Sequence, residues 1–286
     1  MFSIKQKMSI ARMMNRVVRL LRILAGQGMR TRCKRKGVKW DLDLDEGIDL
    51  SIYVLGAYEP GILRAYSSVI RSGDVVFDIG ANIGAHTLHF ARLVGPAGRV
   101  FAFEPTDYAT AKMRLNLEIN PELARRVDFQ QRFLVADNAE ALPAVVPARW
   151  PVANDHDDLD ADHLGKPEKL AHAMALTADD FCEAENLSRL DFVKIDVDGY
   201  EYPVLRGFRR SLKRFRPPIL IELAPILYKD ARASEFDDYV RFIADLGYRF
   251  TAARTGRPLS ADPAALRRHI GPGCTMNCLA YPSGRP

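Results

Sequence analysis

The sequence predicts an α/β fold, a doubly wound and mostly parallel seven-stranded sheet preceded by an N-terminal helical arm. Three observations carry that expectation. Apolar runs at 75–79, 99–103, 127–136, 191–197, 218–223, 248–253 and 277–282 read as strands, and helical patterns separate most of them, which implies parallel pairing and right-handed crossovers. The run Val75-Val76-Phe77-Asp78-Ile79-Gly80-Ala81-Asn82-Ile83-Gly84 takes a strand straight into a glycine-spaced turn, and a helix pattern follows. Asp78, Glu104, Asp137, Asp196 and Glu222 all fall at strand carboxyl ends, where sheets of this kind hold their ligands.

The arm comes first. A chain of 286 residues suits one large domain with an appendage. Residues 1–40 hold twelve of the 41 Lys and Arg and none of the 36 Asp and Glu, so an overall +5 hides a basic arm on a body of net −7. On a helical projection Ile10, Met13, Met14, Val17, Val18, Leu20, Leu21 and Leu24 share one face, and Arg12, Asn15, Arg16, Arg19 and Arg22 the other. The basic cluster Arg30 to Lys39 follows. Three readings fit: membrane-surface contact through residues 9–39, packing of the apolar stripe on the domain or a partner chain, or a targeting segment. The expected boundary lies at residue 40, with a single domain over 41–286.

Trp40 to Val54 alternates apolar and acidic residues around Glu46-Gly47 and predicts a hairpin or strand pair. A helix is expected at 62–70, and Ser72-Gly73-Asp74 turns the chain into the first core strand. Further helices are expected at 84–94, 107–119, 201–213 and 234–246. The stretch from about 138 to 175 is irregular and reads as an insertion, a candidate substrate lid. Its Asp155, His156, Asp157, Asp158, Asp160, Asp162 and His163 also raise a metal site.

Composition narrows the function. No apolar run nears the roughly 18 residues of a membrane span. Cys33, Cys182, Cys274 and Cys278 are too sparse for a disulfide scaffold. The chain therefore reads as cytoplasmic, with an arm suited to the inner face of a membrane. The acidic body argues against a nucleic-acid grip. Arg216-Pro217-Pro218-Ile219 lacks the amide and the aromatic ring that adenine methylation of nucleic acids wants, and no cysteine follows a proline as a cytosine-5 nucleophile would.

The glycine spacing is G-x-x-x-G, not the G-x-G-x-x-G that cradles a pyrophosphate on a helix N-terminus. Glu104, at the end of the next strand, is placed to grip two ribose hydroxyls. A nucleoside without phosphates fits this pair better than NAD. S-adenosylmethionine (SAM) is such a nucleoside, which makes methyl transfer the leading expectation.

Four motifs in order sharpen it: Asp78-Ile79-Gly80-Ala81-Asn82-Ile83-Gly84, Ala102-Phe103-Glu104-Pro105, Asp191-Phe192-Val193-Lys194-Ile195-Asp196-Val197-Asp198-Gly199-Tyr200-Glu201, and Ile219-Leu220-Ile221-Glu222. On them the chain resembles the FkbM-type family of class I SAM-dependent methyltransferases, over about residues 58–282. The family usually shows Glu where this chain has Asp198. The resemblance implies O-methylation of a hydroxyl on a glycan, glycolipid or secondary metabolite, so a small-molecule or glycan acceptor is the expected partner. A non-catalytic SAM-fold subunit and a methyltransferase acting on another nucleophile class are the alternatives.

The resemblance also implies roles. Asp78 and Gly80 would border the methionine half of SAM, with Ala81, Asn82 and Gly84 lining the turn and a side chain at Gly80 colliding with the cofactor. Glu104, followed by Pro105, would accept both ribose hydroxyls. Asp137 or its neighbour Asn138 would meet the adenine amino group, and Glu59, beside Tyr58, the SAM amino group. Strand periodicity puts Lys194, Asp196 and Asp198 on one face. Asp196 or Asp198 would orient or deprotonate the acceptor hydroxyl, with Lys194 as a paired charge. A plain carboxylate is a weak base for an alcohol. His86 is therefore a second candidate base, and a divalent cation on Asp196 and Glu222 is a third device.

Overall fold

A computed structural model of the chain describes residues 2–153 and 165–284. The Asp and His residues at 155–163 considered above as metal ligands lie outside them. The chain opens with α1 (Ile4–Leu24), a hairpin of β1 (Arg30–Arg35) and β2 (Val38–Asp43), and helices α2 (Gly47–Leu55) and α3 (Pro60–Ser67). The core alternation follows: β3 (Val75–Ile79), α4 (Thr87–Leu93), β4 (Arg99–Phe103), α5 (Asp107–Glu118), α6 (Pro121–Ala124) and β5 (Val127–Gln130). Short strands β6 (Arg132–Leu134), β7 (Val145–Arg149), β8 (Lys166–Lys169) and β9 (Met174–Leu176) lead to α7 (Ala178–Ala184). Then come β10 (Phe192–Ile195), α8 (Glu201–Arg206), α9 (Arg209–Phe215), β11 (Ile219–Leu223), α10 (Glu235–Asp245), β12 (Tyr248–Ala252), α11 (Pro263–Ile270) and β13 (Met276–Pro282).

Seven strands form the central sheet in the order β12-β13-β11-β10-β3-β4-β5. Only β13 runs antiparallel to its neighbours. This is the doubly wound, mostly parallel sheet expected from the strand pattern. Successive units step outward from β3 to β4 and β5, then resume on the other side at β10, so the order reverses between β3 and β10. That reversal opens a crevice at the carboxyl ends of the strands.

Both faces of the sheet are covered, which is why its strands are apolar throughout. Phe77, Phe101, Phe103, Val193 and Ile195 pack against Phe181 of α7, Leu205 of α8 and Tyr239 of α10. Val76, Val100, Phe192 and Leu220 pack on the other face against Tyr66 of α3 and Phe90 of α4.

Four expectations need correction. The hairpin lies at β1–β2, turning at Lys36 and Gly37, whose positive φ of 48° and 82° suit a two-residue turn. The 48/50/52 alternation belongs instead to α2, which buries Ile48, Leu50 and Ile52 on more than one side and carries the buried Asp49 as well. The boundary drawn at residue 40 runs through β2, where Trp40 is wholly buried.

The expected strand 127–136 breaks at Gln131, and β6 leaves the central sheet to pair with β9. The expected helix 201–213 divides into α8 and α9. Its break is fixed by Asp179 of α7, whose carboxylate accepts the backbone N–H groups of Arg210 (2.8 Å) and Ser211 (2.7 Å) and so caps α9.

The arm does dock on the body, and it divides the apolar stripe: Met14 and Val18 pack inward with Ile4, Met8 and Ala11, while the rest stays outside. Met8, Asn15 and Arg22 are buried. Asn15 donates to the Leu44 carbonyl (2.8 Å), and Arg19 pairs with Asp45 (2.6 Å). Ile10, Met13, Val17, Leu20, Leu21 and Leu24 face outward.

Candidate active site

A cavity of about 540 Å³ lies over the carboxyl ends of β3, β4, β10 and β11. Its walls above the sheet come from the N-terminal half of α1, from α2, and from the stretch around β7, which contributes Val146, Ala148 and Trp150. The irregular 138–175 region thus reaches the cavity.

The floor is the glycine turn. Gly80 has φ +78°, and a Cβ there would run into the Asp196 carbonyl oxygen across the β3–β10 junction. The chain's own backbone therefore demands the glycine. Gly80 and Ala81 both donate to the Phe103 carbonyl at 3.0 Å, which closes the turn against β4.

Asn82, with φ +48°, donates from its backbone to Glu104 Oε2 (3.0 Å) and from its side chain to the Ala148 carbonyl (3.1 Å). Glu104 Oε1 accepts from Thr106 N (2.9 Å) and Thr106 Oγ1 (2.6 Å). The carboxylate is thus locked at both oxygens, is only 4% exposed, and lines the cavity with Pro105. Burial raises its pKa, against these donors, which lower it.

Gly84, expected to line the turn, and Asp78, expected beside the methionine half of SAM, do not line the cavity. Gly84 faces away from the cavity, where a Cβ would meet Met113 Sδ at 2.5 Å; it lets α5 pack close. Asp78 lies beneath the floor rather than on it. Its Oδ2 accepts from Thr87 Oγ1 (2.6 Å), and its Oδ1 stands 3.4 Å from Lys194 Nζ.

Lys194 joins these layers. Its ammonium donates to the Gly80 carbonyl (2.8 Å) and stands 3.5 Å from Asp196. Burial alone would lower its pKa, but the Asp196 and Asp78 carboxylates outweigh that and raise it. Lys194 is therefore a fixed buried cation that ties the glycine turn to β10.

Beside it four carboxylates converge on the cavity: Glu59 at the start of α3, Asp196 and Asp198 after β10, and Glu222 on β11. Burial first, and then the Asp196 charge, push Glu59 up to about 7 and Glu222 up to about 8. The same two causes raise Asp198 well above its usual range. Glu59 sits in a left-handed conformation (φ 44°), steadied by Asn277 Nδ2 at 3.1 Å. Lys7 of α1 donates to Thr275 Oγ1 (3.4 Å), and its charge lowers the pKa of both Glu59 and Glu222.

His86 lines the same cavity, with Nδ1 3.2 Å from the Tyr66 hydroxyl. Burial, then the Lys194 charge, depress its pKa well below the ordinary value. It stands as a neutral ring packed on Tyr58 and Tyr66.

Asp137 and Asn138 do not reach the cavity. The departure of β6 from the sheet carries the chain outward, so both are exposed. Asn138 instead accepts from Thr177 N (2.7 Å) and donates to Asp180 Oδ2 (2.6 Å). The wall at that place belongs to Arg132, Phe133 and Leu134. Among the described residues no group of three or more His, Cys, Asp or Glu side chains is placed to hold a metal ion. Lys7, Trp150, Thr275 and Asn277 were not foreseen. They come from the two chain ends and the insertion, and no local pattern marks them.

The model of the methyltransferase FkbM domain matches residues 78–250. Hexuronic acid methyltransferase AglP of Haloferax volcanii is 24% identical over 165 residues, 54% of this chain and 58% of the relative. The 31-O-demethyl-FK506 methyltransferase FkbM of Streptomyces tacrolimicus is 49% identical over 59 residues, 21% of this chain and 22% of the relative. A crystal structure of methyltransferase FkbM from Methylobacillus flagellatus superposes with TM-score 0.44 at 16% identity, covering 77% of this chain and 50% of that one. In each case the match spans less than two thirds of the relative's own length. With the family model matched over most of the central sheet, the chain belongs to the FkbM family of methyltransferase domains.

Proposed function

We propose that this chain is a SAM-dependent O-methyltransferase acting on a hydroxyl of a glycan or of a glycan-bearing small molecule. One observation carries the reading: Glu104, buried and aimed by the Asn82 and Thr106 donors, offers its carboxylate to the cavity at the point where the strand order reverses. A carboxylate held in that way suits a ribose diol, each hydroxyl giving a charge-assisted hydrogen bond. The cavity volume falls within the roughly 300–1,000 Å³ typical of small-molecule sites. The names of AglP and of the FK506 enzyme, a hexuronic acid and an O-demethyl acceptor, support an oxygen nucleophile.

Bound SAM would supply an electrophilic methyl group on a cationic sulfonium. The chain's residues would do the rest. Glu59, Asp198 and Glu222 face the cationic end of such a ligand, and their mutual repulsion is relieved when a cation enters. Asp196 takes the acceptor hydroxyl's proton, with Lys194 3.5 Å away to hold its carboxylate in place. Neighbours with proton affinities near neutrality suit the site to an alcohol better than an isolated carboxylate would. Phe133, Val146 and Trp150 wall the site from water.

Methyl-labelled SAM incubated with the protein and hexuronic-acid oligosaccharides tests the reading, with the product located by mass spectrometry. Label is expected as a methyl ether. Asp196→Ala should lower kcat by about 10²–10⁴-fold and move SAM affinity by less than about tenfold. Wild-type turnover by that variant, or label on nitrogen or carbon, contradicts the assignment.

A further inference from the structure

The outward face of α1 is unaccounted for by the methyl-transfer site. Ile10, Met13, Val17, Leu20, Leu21 and Leu24 are 40–75% exposed. At about 100° per residue they centre roughly opposite the docked residues Met8, Asn15 and Arg22. The helix is therefore held to the body by one edge while it presents an apolar stripe outward, an exposed patch that soluble chains rarely leave without use.

Charge says what covers it. No Asp or Glu occurs in residues 1–40. Lys5 and Arg16 flank the stripe and are exposed, as are Lys34 and Lys36 on the hairpin that follows, where Arg30 and Arg32 pair with Asp43 and Asp41. A second copy of this chain would bring like charges together, whereas an anionic lipid surface meets both the stripe and its rim. Ile10 belongs to the stripe and lines the cavity at once. Phe2 (61% exposed) and Leu55 (50% exposed) continue the apolar surface around the cavity.

We propose that α1 lays this stripe into the headgroup layer of an anionic bilayer and so opens the cavity at the lipid surface. No helix among the described residues is long and apolar enough to cross a membrane, so the contact is interfacial. The surface stands independently of the methyl-transfer reading. Resting on that reading, it points to an amphiphilic acceptor whose polar head enters from the membrane.

Co-sedimentation of the full chain with phosphatidylcholine vesicles, with and without about one-quarter phosphatidylserine, tests this. Partition is expected to be at least about tenfold stronger with the anionic lipid and to weaken with salt. The triple variant M13S/V17S/L20S should lose at least about tenfold in partition, and K5E/R16E a comparable amount. Binding of S-adenosylhomocysteine, measured on the same preparations, should be unchanged in both and so reports folding. No partition, partition untouched in both variants, or a stripe-dependent dimer in light scattering overturns the proposal. Vesicle binding without any S-adenosylhomocysteine binding would instead sink the methyl-transfer reading alone.

Discussion

Four carboxylates around one buried lysine set the chemistry of this site at the scale of single residues. Glu59 and Glu222 are pushed up to about 7 and 8, so near neutral pH both exchange protons when no cation is near. To favour a cationic ligand they must be ionised. The sign follows: binding is strongest above about pH 8 and weakens as pH falls through 8 and then 7. Coupling to one proton gives up to about tenfold per pH unit below the pKa. Affinity for SAM, measured by calorimetry between pH 6 and pH 9, should therefore fall at least about tenfold toward the acid end, with net proton release near neutrality. A flat profile would show that neither group faces the cation. Burial and the Lys194 charge keep His86 a neutral ring, its Nδ1 3.2 Å from the Tyr66 hydroxyl. Much of this was legible in the sequence. Lys194, Asp196 and Glu222 announced themselves as charges in apolar strands, where a buried charge needs a reason. Their altered proton affinities were not, since these depend on groups such as Lys7 and Asn277 far away in the chain.

Elements succeed or fail as predictions according to what fixes them. The strands 75–79 and 99–103 and the helix near 107–119 formed where expected, because apolar pattern and local turn signals agree there. The errors at 127–136 and 201–213 have a common physical source. Both segments carry a continuous local pattern that tertiary contacts interrupt: β6 is drawn off by β9, and α9 starts where Asp179 caps it. Asp137 and Asn138, expected at the adenine, lie outside the cavity for the same reason, since that expectation assumed an unbroken strand. Asp179 is the element-scale test. Asp179→Ala leaves the Arg210 and Ser211 N–H groups without their acceptor and should destabilise the protein by about 2 kcal/mol, read by denaturant unfolding. SAM affinity should hold. An unchanged midpoint would mean that α9 is positioned by packing alone.

For the molecule as a whole, the sheet order and the site follow from one event, the reversal between β3 and β10. It brings Gly80 against Asp196, sets Lys194 between two carboxylates, and leaves Glu104 one strand away with its carboxylate open to the cavity. The arm adds what pattern alone misjudged. Its apolar stripe is split, since Met14 and Val18 pack inward with Ile4, Met8 and Ala11, and the docked edge also rests on Asn15, Arg19 and Arg22, polar residues that reach Leu44, Asp45 and Gly28. The central claim is that the cavity takes a nucleoside whose ribose sits on Glu104. Crystals soaked with S-adenosylhomocysteine test it most directly: both ribose hydroxyls should lie within about 3.2 Å of the Glu104 carboxylate, with the amino-acid end toward Glu59 and Glu222. An empty cavity, or a ribose turned away from Glu104, would contradict the account.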